Sequence, residues 1–234
     1  MVLYYILVPL AWLVWHIGFR IRVEGRENLK KVQTKGYILA PTHVSAIDPV
    51  FIAVTRWGGR MVIFAKKELF EINAFLSWFF RCAGAVCVRG TKEEVAVIDR
   101  TVEACKNGRT LLIFPEGRFS TTGEILEFRS TAALLALQTD VPIIPMWHSV
   151  NYGFGKRTDV VIGGPIRLSE LCSTANPDAA ELDRLTAILR DKVIELRGMA
   201  QDDPLSLPWV KELLASGRLT ELDRPTVAAA IREI

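Results

Sequence analysis

Charge is missing from the start of the chain: Met1 to Phe19 (MVLYYILVPLAWLVWHIGF) contains no Lys, Arg, Asp or Glu. A spanning helix needs about 20 predominantly apolar residues, so this stretch predicts an N-terminal apolar membrane-anchoring helix that crosses once or dips into one leaflet. Pro9 and His16 interrupt it, while Tyr4, Tyr5, Trp12 and Trp15 are side chains that favour the membrane interface. A basic leading region and an Ala-x-Ala-like cleavage site are both lacking, which argues against a removable signal peptide. A buried helix of a soluble domain is the alternative. Arg20, Arg22, Arg26, Lys30 and Lys31 follow at once, set against Glu24 and Glu27. That positive excess predicts a domain held on the cytoplasmic face of the membrane.

Cysteine and histidine are scarce as well, at four and three residues. Cys82, Cys87, Cys105 and Cys172 fit no zinc spacing, and Cys82 and Cys87 flank one strand pattern too closely to bridge, so a reducing compartment with free thiols is the simplest account. No His-Glu-x-x-His run occurs, so no metal is implied. His16 and His148 have no acid beside them in the sequence. A concentrated basic stripe is absent too: 29 Lys and Arg face 26 Asp and Glu, a net charge of +3. Nucleic acid is therefore not an expected partner, whereas a surface of anionic lipid head groups is compatible. Internal repeats and low-complexity tracts are not visible.

What remains is the pattern of one α/β domain. Half of the 234 residues are apolar, enough to bury a substantial core. Short apolar runs predict strands near 36–41, 60–65, 84–88, 110–115, 141–147 and 158–163; helical periodicity falls near 47–56, 66–80, 91–107, 129–139 and 178–199. Such alternation predicts a mainly parallel central sheet flanked by helices. We divide the chain into the anchor (1–21), the α/β domain (22–200) and a polar, proline-broken helical tail (201–234) with short amphipathic patterns at Trp209 to Ser216 and Val227 to Ile234.

Within that frame, APTHVSAIDP (Ala40 to Pro49) places His43 five residues before Asp48. A neutral imidazole can take a proton from a hydroxyl, and a carboxylate on its other nitrogen fixes the tautomer. On a continuous helix, positions five apart diverge by roughly 140°. The pair therefore works only if His43 lies in a turn after a strand and Asp48 near the next helix start. Alone, it fits an ordinary turn histidine beside a helix-capping aspartate equally well. A second run, TLLIFPEGRFS (Thr110 to Ser120), is an apolar strand that stops at Pro115 and delivers Glu116, Gly117 and Arg118 into a loop. Carboxylate, glycine and guanidinium there suit an acceptor carrying hydroxyls and a phosphate. GAVCVRG (Gly84 to Gly90) ends another strand on Arg89, and VPIIPM (Val141 to Met146) is a further buried strand. His43, Arg89 and Glu116 all fall just past strand ends, where α/β sheets collect their ligands.

These four runs, in this order, resemble the glycerolipid acyltransferase family, the lysophosphatidic acid acyltransferases and their relatives: His-x-x-x-x-Asp as His43 and Asp48, a glycine-containing strand ending in Arg89, Phe-Pro-Glu-Gly as Phe114 to Gly117, and Val-Pro-Ile-x-Pro as Val141 to Pro145. The resemblance covers about residues 22–170. It implies that His43 is the general base, Asp48 its orienter, and that Arg89, Glu116, Gly117 and Arg118 belong to the acceptor site. It further implies acyl transfer from acyl-CoA or acyl carrier protein to 1-acylglycerol-3-phosphate (lysophosphatidate), giving phosphatidate in phospholipid biosynthesis, with no bound cofactor.

Two departures bear on the acceptor. Family members commonly carry Asn before the histidine and Thr-Arg-Ser after the glycine, whereas this chain has Thr42 and then Arg118, Phe119 and Ser120. Relatives that reacylate other lysophospholipids resemble this variant, with Arg directly after the glycine and a Thr-Gly pair such as Thr122-Gly123. A lysophospholipid or aminolipid acceptor is therefore the alternative within the class, and a non-catalytic lipid-binding scaffold the alternative outside it. Nothing resembles Gly-x-Ser-x-Gly around Ser45, so direct transfer without an acyl-enzyme is expected. Phe75 to Phe80 (FLSWFF) is a candidate wall for an acyl chain, and Lys66 and Lys67 are candidate partners for phosphate.

Overall fold

A computed structural model describes residues 18, 20–32, 34, 36–56, 61–66, 70–74, 77–78, 81, 84–88, 92–149, 155–200 and 216. Their order is β1 (Arg20–Glu24), a 3-10 helix (Arg26–Lys31), β2 (Tyr37–Pro41), α1 (Asp48–Arg56), β3 (Met61–Lys66), β4 (Ala85–Val88), α2 (Lys92–Lys106), β5 (Thr110–Leu112), α3 (Thr131–Thr139), β6 (Ile143–His148), β7 (Arg157–Ile162), α4 (Leu168–Leu171) and α5 (Ala179–Met199). The strands form one seven-stranded sheet in the order β1-β7-β6-β2-β5-β3-β4. Neighbours are parallel except β6 and β7, which run antiparallel. The sheet is thus mixed but mainly parallel, with helices on its faces.

The central strands are apolar on both sides because both sides are covered. Ile38, Leu39 and Ala40 of β2 are fully buried, as are Leu111 and Leu112 of β5 and Ile143 and Ile144 of β6. Alternate residues serve opposite faces. Ile38, Ala40, Leu111 and Ile143 pack with Cys105 of α2, Ala132 and Leu135 of α3, and Leu185 and Leu189 of α5. Leu39, Leu112, Ile144 and Met146 pack with Phe51 and Ile52 of α1. Buried Leu185, Leu189, Val193 and Leu196 recur along α5 at helical spacing, and Asp178 caps that helix by accepting from the Glu181 amide at 2.9 Å.

β1 is an element that hydropathy did not suggest. Its sequence, RIRVE, alternates charged with apolar side chains, and Ile21 and Val23 pack against the α1-side cluster. It pairs in parallel with β7, from Arg20 opposite Arg157 to Glu24 opposite Val161. Arg20 and Ile21, assigned from sequence to the anchor, therefore belong to the sheet. The rest of the predicted anchor, apart from Gly18, lies outside the described residues, as does the predicted tail apart from Ser216. Among the described residues no helix is long and apolar enough to cross a membrane. Of the helix predicted over 66–80, residues 67–69, 75–76 and 79–80 also lie outside them.

Leu39 is fully buried at the middle of the central strand. Leu39→Ala is expected to lower the free energy of unfolding by about 3 kcal/mol, read by urea denaturation followed by circular dichroism; a loss below about 1 kcal/mol would contradict this packing.

Candidate active site

The sheet delivers its site through the carboxyl ends of three adjacent parallel strands, β6, β2 and β5. β2 ends at Pro41, and the Thr42 amide still donates to the Met146 carbonyl at 3.2 Å. The chain then leaves the sheet and turns into α1, of which Asp48 is the first residue. That placement resolves the spacing problem, since only one member of the pair is helical. Asp48 Oδ2 lies 2.8 Å from His43 Nδ1 and also accepts the Val44 amide at 2.7 Å and the Ser45 amide at 2.9 Å. The Asp48 amide in turn donates to the Ser45 carbonyl at 3.1 Å. The turn is wrapped around one carboxylate oxygen, at a helix start where negative charge is favoured. With Nδ1–H donated to Asp48, Nε2 of His43 is left with its lone pair as an acceptor.

Two aromatic rings fix the imidazole plane. Phe114 stacks on it with ring centroids 3.7 Å apart, and Phe119 meets it edge-on at 4.3 Å. The Asp48 side chain is wholly buried and that of His43 is 14% exposed. Phe119 and Ile47 are exposed, at 49% and 44%. The base is thus mostly buried but reached by solvent, with exposed apolar side chains close to it in the chain.

Glu116 ties the second loop to the first. Its Oε1 accepts the His43 amide at 3.3 Å, while the Ser120 amide donates to the His43 carbonyl at 2.7 Å. Both backbone polar groups of His43 are therefore held by the 116–120 segment. Glu116 is 3% exposed, and among the described residues its Oε2 and the Ser120 hydroxyl have no hydrogen-bond partner. Burial pushes the Glu116 carboxyl up to about 7, against the opposing pull of the His43 and Leu126 amides; the Asp48 charge adds to the rise and Arg190 opposes it. Arg190 itself is engaged with the Leu126 and Ile125 carbonyls, each at 3.1 Å.

Gly117 adopts a left-handed φ of 64°, a conformation costly for any residue with a Cβ. Arg118 is exposed beside it. Arg89 lies outside the described residues; of the residues singled out from sequence, the structure brings together His43, Asp48 and Glu116, with Gly117 and exposed Arg118 next in the same loop. Among the described residues no group of His, Cys, Asp and Glu could hold a metal ion.

One residue of the site escaped the sequence. His148, the last residue of β6, places Nε2 3.0 Å from the Thr42 carbonyl and 3.8 Å from Asp48 Oδ2. Its backbone amide approaches the Thr42 hydroxyl at 3.4 Å, and Phe51 meets its ring edge-on. Burial lowers its pKa, against the opposing pull of the nearby Asp48 charge. The signal was positional: a strand beside β2 and parallel to it ends on the same edge, but that adjacency is not written in local sequence.

The Glu116 carboxyl binds its proton more tightly folded, at about 7, than unfolded, at about 4.3. Its stabilising contribution is therefore complete below the unfolded value and is lost as pH rises through the folded one. Between about pH 5 and pH 8, wild-type unfolding free energy is expected to fall relative to Glu116→Gln by on the order of 1–3 kcal/mol. Parallel stability profiles for the two proteins would refute this.

A family profile described as Acyltransferase matches residues 20–149. The chain is similar to the 1-acyl-sn-glycerol-3-phosphate acyltransferase of Saccharomyces cerevisiae, 29% identical over 191 residues that make up 76% of this chain and 60% of the yeast protein. It is similar also to the protein of that name from Borreliella burgdorferi, 27% identical over 187 residues, 78% of this chain and 73% of that one. Among solved structures, the 1-acyl-sn-glycerophosphate (LPA) acyltransferase of Thermotoga maritima shares the fold, with a TM-score of 0.56 and 24% identity over 76% of this chain and 72% of that one. The chain thus spans 60% of the yeast relative's length. Residues 20–149 run from the start of β1 past the end of β6 and enclose His43, Asp48, Glu116 and His148, and on that match the chain belongs to the acyltransferase family.

Proposed function

We propose that this protein transfers a fatty acyl chain from an acyl thioester, acyl-CoA or acyl carrier protein, to the free hydroxyl of 1-acylglycerol-3-phosphate, giving phosphatidate in phospholipid biosynthesis. The observation that carries the reading is the 2.8 Å contact between His43 Nδ1 and the buried Asp48 carboxylate. It leaves a lone pair on Nε2 at the edge of the sheet, within the stretch that the family profile matches.

The acceptor hydroxyl approaches Nε2 of His43. As its oxygen attacks the thioester carbonyl, its proton passes to Nε2, and the Asp48 carboxylate stabilises the imidazolium through Nδ1–H. The tetrahedral intermediate then collapses with rupture of the C–S bond. The departing thiolate takes the proton back from Nε2, leaving an ester, a thiol and a neutral imidazole. Glu116 and Ser120 act on this sequence by holding the backbone of His43 from both sides. Exposed Ile47 and Phe119 offer apolar contact to an acyl chain arriving from a bilayer. The basic residues Arg20 to Lys31 support a domain lying against the cytoplasmic face of a membrane.

Phe119 favours a second reading. It stands where the family resemblance leads one to expect a guanidinium, which fits an acceptor other than lysophosphatidate, such as another lysophospholipid or an aminolipid. A scaffold that only binds lipid would have no use for an oriented base.

Purified protein in detergent, incubated with a labelled acyl thioester and a panel of lysolipids, is expected to form phosphatidate, identified by mass. His43→Ala is expected to lower turnover by about 10²–10⁴-fold while leaving the fold intact by circular dichroism. A different diacyl lipid would move the assignment to the second reading, and equal activity in the variant would remove His43 from the chemistry.

A further inference from the structure

The Arg129 side chain lies across the Gly117 turn. A Cβ built on Gly117 would stand 2.7 Å from Arg129 Nε, 3.0 Å from Cδ and 3.1 Å from Cζ. The positive φ favours glycine here, and a Cβ would also push the Arg129 side chain off the turn. The Arg129 backbone is fixed to the same loop, since its amide donates to the Pro115 carbonyl at 2.8 Å. Among the described residues no carboxylate or carbonyl accepts from its guanidinium, although Arg190 nearby is engaged with two carbonyls and lies 3.6 Å from Glu127. Arg129 is also on the exposed side of the loop, with Arg118 one residue from Gly117. Glu116, the adjacent acid, directs its Oε1 to the His43 amide instead. The direct route to a guanidinium beside the base, position 119, is taken by a phenyl ring against His43.

We propose that Arg129, laid across Gly117, binds the phosphate monoester of the acyl acceptor and sets the enzyme's head-group specificity. This rests on the reading of the site as an acyl-transfer centre. A planar guanidinium presents paired donors matched to phosphate oxygens. Its place beside the loop that holds His43 lets one acceptor reach both, phosphate on Arg129 and hydroxyl at Nε2. Arg129 is a binding residue, so its loss falls on acceptor affinity.

The test compares wild type, Arg129→Gln and Arg129→Lys with 1-acylglycerol-3-phosphate and with monoacylglycerol, which lacks the phosphate, while acyl-CoA is varied separately. Arg129→Gln is expected to raise KM for the phosphate acceptor about tenfold or more, the scale of a charge-assisted hydrogen-bonded pair. It should change neither KM for acyl-CoA nor the rate with monoacylglycerol. Arg129→Lys should recover part of the loss. Equal losses with both acceptors, or a rise confined to KM for acyl-CoA, would overturn the assignment, the latter by giving Arg129 to the donor's phosphates. Calorimetric titration with glycerol 3-phosphate and with glycerol separates this inference from the proposed reaction, because it needs no turnover. Wild type that binds glycerol 3-phosphate at least about tenfold more tightly than Arg129→Gln does supports the site even if no acyl transfer is found; indistinguishable binding by the two proteins would refute it.

Discussion

One carboxylate oxygen organises the site. Asp48 Oδ2 gathers the His43 ring N–H and the Val44 and Ser45 amides within 2.9 Å, in a side chain wholly removed from solvent. A buried charge without such donors is strongly unfavourable, so the oxygen and the turn determine each other. The turn is what carries the chain from β2 to α1. The same contact that orients the base therefore also sets where α1 begins and, through Phe51 and Ile52, how it lies on the sheet.

Around this centre the second loop works as a clamp on the backbone. Glu116 and Ser120 reach opposite polar groups of the same residue, His43, and Phe114 and Phe119 close on its ring. The Phe-Pro-Glu-Gly run reads naturally in these terms: a ring for stacking, a stop for the strand, a carboxyl for the neighbouring amide and a left-handed turn. His148 adds a third segment, from β6, whose ring nitrogen meets the Thr42 carbonyl one residue before the base. Three strand ends thus meet around the segment that carries His43.

Much of this was legible before the structure. The buried strands at Tyr37–Pro41, Thr110–Leu112 and Ile143–His148 announced themselves as apolar runs, and the long helix Ala179–Met199 by its periodicity. The separation of His43 from Asp48 required a turn and a helix start, and both are there. β1 was hidden because two of its five residues are arginines, which read as a basic flank to the apolar N-terminus. The reversal of β7 against β6 left no local trace. His148 and Arg129 were missed for a common reason: each acquires its meaning from a neighbour distant in sequence, Thr42 and Gly117 respectively, and no window of the chain contains both members.

The closed ring of hydrogen bonds from Ser45 to Asp48 also fixes a length. Val44 and Ser45 both donate to the same oxygen, and the Ser45 carbonyl receives the Asp48 amide. Substitution at Ala46 or Ile47 leaves these backbone contacts in place, whereas inserting or deleting a single residue would move the carboxylate away from the imidazole it serves. Loops elsewhere on such a fold can grow or shrink as lineages diverge. Between His43 and Asp48 the backbone contacts fix the number of residues rather than the identity of each side chain.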